Sequence, residues 1–236
     1  MKVLGIDTSA SPASAALVEN QKIIGEFFIN TKLTHSQTVM PMIDSLLSCC
    51  ETKLSDVDVL AVSVGPGSFT GIRIGIAAVK GMAYGSDKNC VAVSTLESMA
   101  YCHLYHNGII CAVMDARCNQ VYNALFRVKN GSVKRICSDR AISIEELTKE
   151  LENAHENIIL VGDGAEICYK AMAQTSVSAQ LAPFNVRFQN ASAVAFAAEI
   201  QAEKGNIVSS QELMPVYLRL PQAERELKKR QAAEKG

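Results

Sequence analysis

Three short apolar runs, separated by polar turns, open the chain. Lys2 to Ile6, Ser14 to Val18 and Ile23 to Ile29 each read as a strand, joined through Asp7-Thr8-Ser9 and Glu19-Asn20-Gln21-Lys22. Connections this short predict an antiparallel meander. The period then lengthens. Val39, Ile43, Leu46, Leu47 and Cys50 recur at helical spacing behind Thr34-x-x-Gln37, a capping-box pattern. Met40 and Met42 widen the apolar surface of this helix, so that one side can be core and another an interface. Pro41 lies inside it, removes one backbone hydrogen bond and predicts a bend. Val59 to Val64 is an unbroken apolar run, the pattern of a buried strand.

The stretch after that strand organises the rest. Gly65-Pro66-Gly67 turns the chain, Ser68 or Thr70 caps a helix start, and Ile72, Ile76 and Val79 form an apolar stripe within a helix over Thr70 to Tyr84. The turn is neither a Walker A loop nor a Rossmann fingerprint: Lys80 is a full helix away, and Gly71 follows Gly65-x-Gly67 at the wrong spacing. Glycine inside a helix costs about 1 kcal/mol relative to alanine. A helix carrying Gly71, Gly75 and Gly81 therefore needs another backbone close by. Gly71-x-x-x-Gly75, continued by Ala78, sets small residues on one face, for close packing either on its own sheet or against a partner subunit.

Cys90 to Val93 reads as a further strand, and Ser94-x-x-Glu97 opens a helix through about His106. His103 and His106 fall at i, i+3 on it, but a metal site would need a third ligand and none is suggested nearby. From Gly108 the opening pattern repeats. Ile109 to Met114 is a strand ending in Asp115, Gln120 to Val128 is the next, and Lys129-Asn130-Gly131 turns into Val133 to Cys137. Two three-strand meanders, each starting with a strand that ends in aspartate, suggest a duplicated lobe. Asp7 with its small hydroxyl neighbours could hold a metal–phosphate group or could close the hairpin through side-chain-to-backbone bonds; residue chemistry favours the turn. Ser143-x-x-Glu146 caps a short helix. Ile158 to Val161 is a strand, followed by Gly162-Asp163-Gly164 and a helix to about Gln174. Ala191 to Lys204 is an alanine-rich helix, Met214 to Arg219 a short extended piece, and Gln222 to Gly236 a charged tail of both signs.

Composition narrows the class. The chain has 236 residues, 48% hydrophobic and 20% charged, with a formal net charge of −1, the balance of an ordinary globular protein without the basic face of an autonomous nucleic-acid binder. No apolar run reaches the roughly 20 residues of a membrane helix, and the first residues do not form a signal peptide. Eight cysteines are scattered, with no C-x-x-C, which reads as reduced thiols in a cytoplasmic protein.

Gly5-Ile6-Asp7-Thr8-Ser9, Thr34-His35-Ser36, Gly65-Pro66-Gly67-Ser68-Phe69-Thr70-Gly71-Ile72-Arg73 and Tyr217-Leu218-Arg219 together resemble the TsaB family of tRNA threonylcarbamoyladenosine biosynthesis proteins, in an order spanning nearly the whole chain. The resemblance implies an α/β, two-lobed fold of the actin/sugar-kinase/Hsp70 (ASKHA) type with a reduced second lobe. The expected divisions are 1–106 for the first lobe, 107–220 for the smaller second lobe and 221–236 for the tail. It implies a cytoplasmic, non-catalytic subunit that pairs with TsaD and works with TsaE to place a threonylcarbamoyl group on adenosine 37 of ANN-decoding tRNAs. In that picture tRNA is met through the complex, no catalytic residue or metal belongs to this chain, and ATP and metal belong to the partner proteins. A metal-binding paralogue would carry a His-x-x-x-His pair where Thr95 and Met99 stand, and thioether and hydroxyl are poor substitutes. Asp7, Thr8, Asp115, Gly162 and Gly164 mark vestigial nucleotide loops. In TsaB–TsaD pairs two helices of each partner form a bundle, which assigns Met40, Ile43, Leu47, Gly71, Ile72, Gly75, Ile76 and Val79 to the interface, with a homodimer through the same face when the partner is absent. On that assignment a bulky residue at Gly75 abolishes pairing and leaves the fold. Rival readings are a small-molecule kinase using Asp7, Asp115 and the Gly162-x-Gly164 turn, a metallopeptidase, and an interaction module with no tRNA role.

Overall fold

The computed structural model describes residues 1–31 and 33–219; the expected tail over 221–236 lies outside the described residues. Strands β1 (Lys2–Asp7), β2 (Ala13–Glu19) and β3 (Lys22–Ile29) form the expected antiparallel meander. Helix α1 (His35–Cys49) crosses back, a 3-10 turn (Leu54–Asp56) follows, and β4 (Val59–Gly65) lies parallel to β1. Helix α2 (Phe69–Ser86) leads to β5 (Asn89–Ser94), parallel to β4, which completes the order β3-β2-β1-β4-β5. The apolar stripes of α1 and α2 cover one side of this sheet, where Leu4, Ile6, Leu17, Leu60 and Val62 meet Val39, Ile43, Leu46, Ile72 and Val79.

The second sheet repeats the first. After α3 (Thr95–Tyr101), strands β6 (Gly108–Asp115), β7 (Gln120–Lys129) and β8 (Ser132–Arg135) form another antiparallel meander. A short β9 (Arg140–Ser143) also pairs with β7. Helix α4 (Ile144–Glu152), β10 (Ile158–Val161), α5 (Ala165–Met172) and β11 (Ala179–Leu181) follow. The order β11-β10-β6-β7-β8 is that of the first sheet read from its other end, with β10 parallel to both β6 and β11. Three strands in a meander and two added in parallel, occurring twice, are the duplication that the repeated aspartate-ended strands suggested.

Three helix ends differ from expectation. Thr34 sits at the N-cap of α1 but makes no capping bond; its hydroxyl pairs with Ser36 Oγ instead. Ser143 and Glu146 do make the reciprocal capping box of α4. Helix α3 stops at Tyr101 rather than near His106, because the chain turns there through His103 N to Ala100 O and His106 N to His103 O. His103 and His106 therefore do not share a helix face. His106 Nε2 lies 3.1 Å from Asn157 O, and His103 is fully buried. Burial lowers the His103 pKa to about 4, so its imidazole is neutral at physiological pH. Helix α5 ends at Met172, two residues short of the expected end, and β9 and β11 were not expected. Both are short strands of mixed polarity, which carry little alternation to read.

The chain does not keep its sequence order in space, and this corrects the division at residue 107. After a helical turn, α6 (Phe184–Arg187), helix α7 (Ala191–Glu203) returns to the first sheet. Val194, Ala195, Ala197 and Ala198 pack on Val3, Val18, Ala61 and Val93, on the side opposite α1 and α2. The approach is close: a Cβ on Gly5 would strike Ala191 O. Asn190 Oδ1 caps the helix through Ala193 N, and the Glu26 carboxylate accepts Ser192 N at 3.0 Å, a favourable anion at a helix N-terminus. The following strap stays on the first lobe, with an isolated bridge between Val208 and Cys90 and with Leu213 fully buried in the first core. The first lobe is thus built from residues 1–94 and 191–218. The second lobe is the inserted sheet with α4 and α5. Helix α3 stands between them, with Leu96, Met99 and Ala100 in the core of the second sheet.

Candidate functional site

A cleft of about 770 Å³ opens between the lobes. One wall is the β1–β2 turn and the start of α2, and the other is the β6–β7 loop. Each expected nucleotide-loop residue can be placed against it. Asp7 is buried beneath the cleft. Its Oδ1 accepts Ser9 N at 2.9 Å and Ser9 Oγ at 2.8 Å, and its Oδ2 accepts Ser63 Oγ. Burial pushes its carboxyl above the usual range, against the pull of those hydrogen bonds. The turn reading of this aspartate is what the structure adopts. Thr8 is spent as well, since its hydroxyl donates to Gly71 O at 2.8 Å. Gly162 N donates to Arg187 O and Gly164 N to Val113 O, so those amides are engaged within the protein. Asp115 alone of the five presents an exposed carboxylate to the cleft, and its Oδ1 accepts Arg117 N at 2.7 Å.

The positions where a paralogue would carry two histidines are closed. Thr95 is fully buried and Met99 nearly so, with Met99 Sδ beside Gly162. Met99 fills the core of the second lobe, where α3 packs against β6 and β7. Among the described residues, no three His, Cys, Asp or Glu side chains gather as metal ligands. His35, of the Thr34-His35-Ser36 motif, is half-buried at the cleft with Nε2 2.8 Å from Ala10 O.

The glycine helix resolves the choice left open by its sequence. Gly71 and Gly75 face inward. A Cβ on Gly71 would strike Thr8 O, and one on Gly75 would strike Thr8 Oγ1. The notch is therefore filled by Thr8, directly after the chain's own first strand, which corrects the assignment of these two glycines to a partner surface. The same correction applies to four apolar residues. Ile43, Ile72, Ile76 and Val79 are buried in the first core and are not available on the surface. Met40 is exposed and Leu47 partly so. The physical reason is that α2 carries small and apolar residues all round, so its sequence cannot say which side meets the sheet.

The opposite side of α2 is where the unexplained glycines lie. Among the described residues, a Cβ on Gly81 or Gly85 would meet nothing within 4 Å. Ala77 is exposed on this side and Tyr84 is 79% exposed. The helix carries an open, small-residue face with an unburied aromatic at its end. The signal for it was present in Gly81, the third helical glycine, but the more regular Gly71-x-x-x-Gly75 spacing obscured it.

At the mouth of the cleft, Phe69 and Arg73 of α2 meet Tyr217. The Phe69 and Tyr217 ring centroids are 4.8 Å apart, the Arg73 guanidinium lies 3.9 Å from the Phe69 centroid, and Arg73 Nε donates to Tyr217 Oη at 2.7 Å. The motifs Gly65–Arg73 and Tyr217–Arg219, distant in sequence, thus form one cluster.

Comparisons with known proteins agree with this geometry. Residues 22–227 match the family model of TsaD, tRNA N6-adenosine threonylcarbamoyltransferase. The chain is 31% identical to the tRNA threonylcarbamoyladenosine biosynthesis protein TsaB of Bacillus subtilis (strain 168), over 95% of this chain and 96% of that one. A solved structure of YeaZ from Pseudomonas aeruginosa superposes with a TM-score of 0.80 at 26% identity, covering 92% of this chain and 99% of that one. The activator of the 2-hydroxyisocaproyl-CoA dehydratase from Clostridium difficile, with bound ADPNP, superposes with a TM-score of 0.51 at 12% identity, over 92% and 99% of the two chains, a likeness of fold alone. With the duplicated sheets, these place the architecture among ASKHA-type folds with a reduced second lobe.

Proposed function

The chain belongs to the TsaB family, and from that membership we propose that it is a partner subunit, without catalysis of its own, in N6-threonylcarbamoylation of adenosine 37 of ANN-decoding tRNAs. It pairs with a TsaD protein and works with TsaE; tRNA is engaged through the complex, and ATP and metal are held by the partners. The observation that carries this reading is the outer face of α2. Two exposed glycines inside a helix cost about 1 kcal/mol each relative to alanine, and among the described residues nothing lies within 4 Å of a Cβ placed on either. A partner helix seated there would give those glycines a purpose, because their missing side chains let two backbones approach. Ala77, Gly81, Tyr84 and Gly85 of α2, with Met40 and Leu47 of α1, replace the buried residues of the earlier assignment. The same face pairs two copies of this chain when the partner is absent. The lack of independent catalysis is supported by the sealed Asp7, the engaged Thr8 hydroxyl and the burial of Thr95 and Met99.

Reconstitution tests this directly. Threonylcarbamoyl transfer to a substrate tRNA is measured with TsaD, TsaE, donor, ATP and metal, with this chain present or omitted. Transfer should depend on this chain, and the chain alone should be inert. Gly81→Leu should keep the melting temperature of the isolated chain yet lose pairing with TsaD in sedimentation. Full transfer without the chain would reject the function. Undiminished pairing by Gly81→Leu would reject the face.

A further inference from the structure

The segment from Leu213 to Arg219 is anchored on one lobe and bonded to the other. Its first part is fixed to the first lobe at three levels. Leu213 is fully buried in that core, Val216 N donates to Val64 O at 2.8 Å, and Tyr217 closes the stack with Phe69 and Arg73. The Val216 carbonyl lies so close over Gly65 that a Cβ there would strike it. The last described residue then leaves this lobe. Arg219 Nη1 donates at 2.8 Å to Ala116 O, across the cleft mouth, in the β6–β7 loop of the second lobe.

The receiving loop is unusual. Arg117, Cys118 and Asn119 have φ of 62°, 56° and 55°, three consecutive non-glycine residues in the left-handed region. Such conformations persist where their surroundings hold them. Arg117 N to Asp115 Oδ1, Ala116 N to Gln120 O and Ile144 N to Asn119 O hold this loop from within its own lobe. Arg219 holds it from the other.

The lobes are also joined by residues outside the cleft lining. Ser94 Oγ, at the start of α3, donates to Asp139 Oδ2 at 2.6 Å, and Arg135 reaches both Glu97 and Asp139. The two lobes are thus bonded to each other both beside the start of α3 and across the cleft mouth.

We propose that Arg219 is a latch: its bond to Ala116 O sets the opening of the interlobe cleft, and the Tyr217–Phe69–Arg73 stack ties that setting to the first turn of α2. This is a property of the isolated chain and does not rest on the proposed partner role.

Hydrogen–deuterium exchange on the full chain tests it, comparing the wild type with Arg219→Ala. Loss of the latch should deprotect both walls of the cleft. The loop amides Ala116 and Gln120, and Ser68 N, which donates to Ser9 O at 2.7 Å on the facing wall, should exchange about fivefold faster. Peptides from α7 and β10, in the two cores, should be unchanged. Faster exchange confined to the loop would overturn the proposal, since Arg219 would then only cap that loop. So would an unchanged pattern, or a rise throughout both cores. Tyr217→Ala, which removes the anchor and keeps Arg219, should deprotect the same two walls together with the first turn of α2; protection of both walls at the wild-type level would overturn the proposal equally.

Discussion

Alanine at Gly75 and alanine at Gly81 should move the stability of the isolated chain in opposite directions. Both are interior positions of α2, and on propensity alone each substitution gains about 1 kcal/mol. At Gly81 no described residue opposes the gain, because none has an atom within 4 Å of a Cβ there. At Gly75 the new Cβ strikes Thr8 Oγ1 and comes within 3.3 Å of Val62 Cγ2. Thr8 is fully buried and cannot swing to solvent, and its hydroxyl bond to Gly71 O breaks if it rotates. A lost buried hydrogen bond costs about 1 kcal/mol, and overpacking adds about 1–3 kcal/mol. Set against the propensity gain, Gly75→Ala should lose about 2 kcal/mol and Gly81→Ala should gain about 1 kcal/mol. For a chain of this length these correspond to a fall of about 4–8 °C and a rise of about 2–4 °C in Tm. Thermal unfolding by circular dichroism, at several protein concentrations, reads both. A neutral Gly75→Ala would refute the contact between α2 and Thr8. A destabilised Gly81→Ala at the lowest concentration would refute an open outer face, and destabilisation appearing only at high concentration would show a second copy seated on it.

Two further outcomes follow from buried titratable groups. Burial holds the His103 pKa at about 4 against about 6.5 when unfolded, so the unfolded chain binds the extra proton first. Its contribution to stability is therefore intact above pH 6.5 and falls as pH drops towards 4, by about 3 kcal/mol in all. His103→Phe should flatten that part of the urea-derived stability profile, and an unchanged slope would exclude the residue as its source. Ser63→Ala should cost about 1–3 kcal/mol by removing a donor from the buried Asp7 carboxylate. Because the Asp7 pKa is raised, the folded state holds that proton more tightly and its contribution to stability fades as pH rises above the ordinary carboxylate value. Removing the Ser63 donor, which pulls that pKa down, should push it further up and extend the loss of stability to higher pH, and an unchanged pH dependence would place the carboxylate's stabilisation elsewhere.

Local pattern alone determined much of this protein. Both meanders, the Gly-Pro-Gly turn, the helical spans of α1, α2 and α7, the Asn130-Gly131 hairpin and the Ser143 capping box are encoded within a few residues of where they occur, because hydrophobic period and turn chemistry act over that range. The aspartate-ended strand at the head of each meander carried the duplication, and the family motifs carried the architecture. The packing of α2 was decided only in three dimensions. A helix with glycines at 71, 75, 81 and 85 is nearly the same on every side, and Thr8, sixty residues away, selects which pair is buried. Long separation in sequence likewise hides the return of α7 to the first sheet, the sealing of Asp7 by Ser63 and the reach of Arg219 to Ala116 O. Each depends on a partner that no local window contains, and on a backbone brought close enough for a single Cβ or a single hydroxyl to matter.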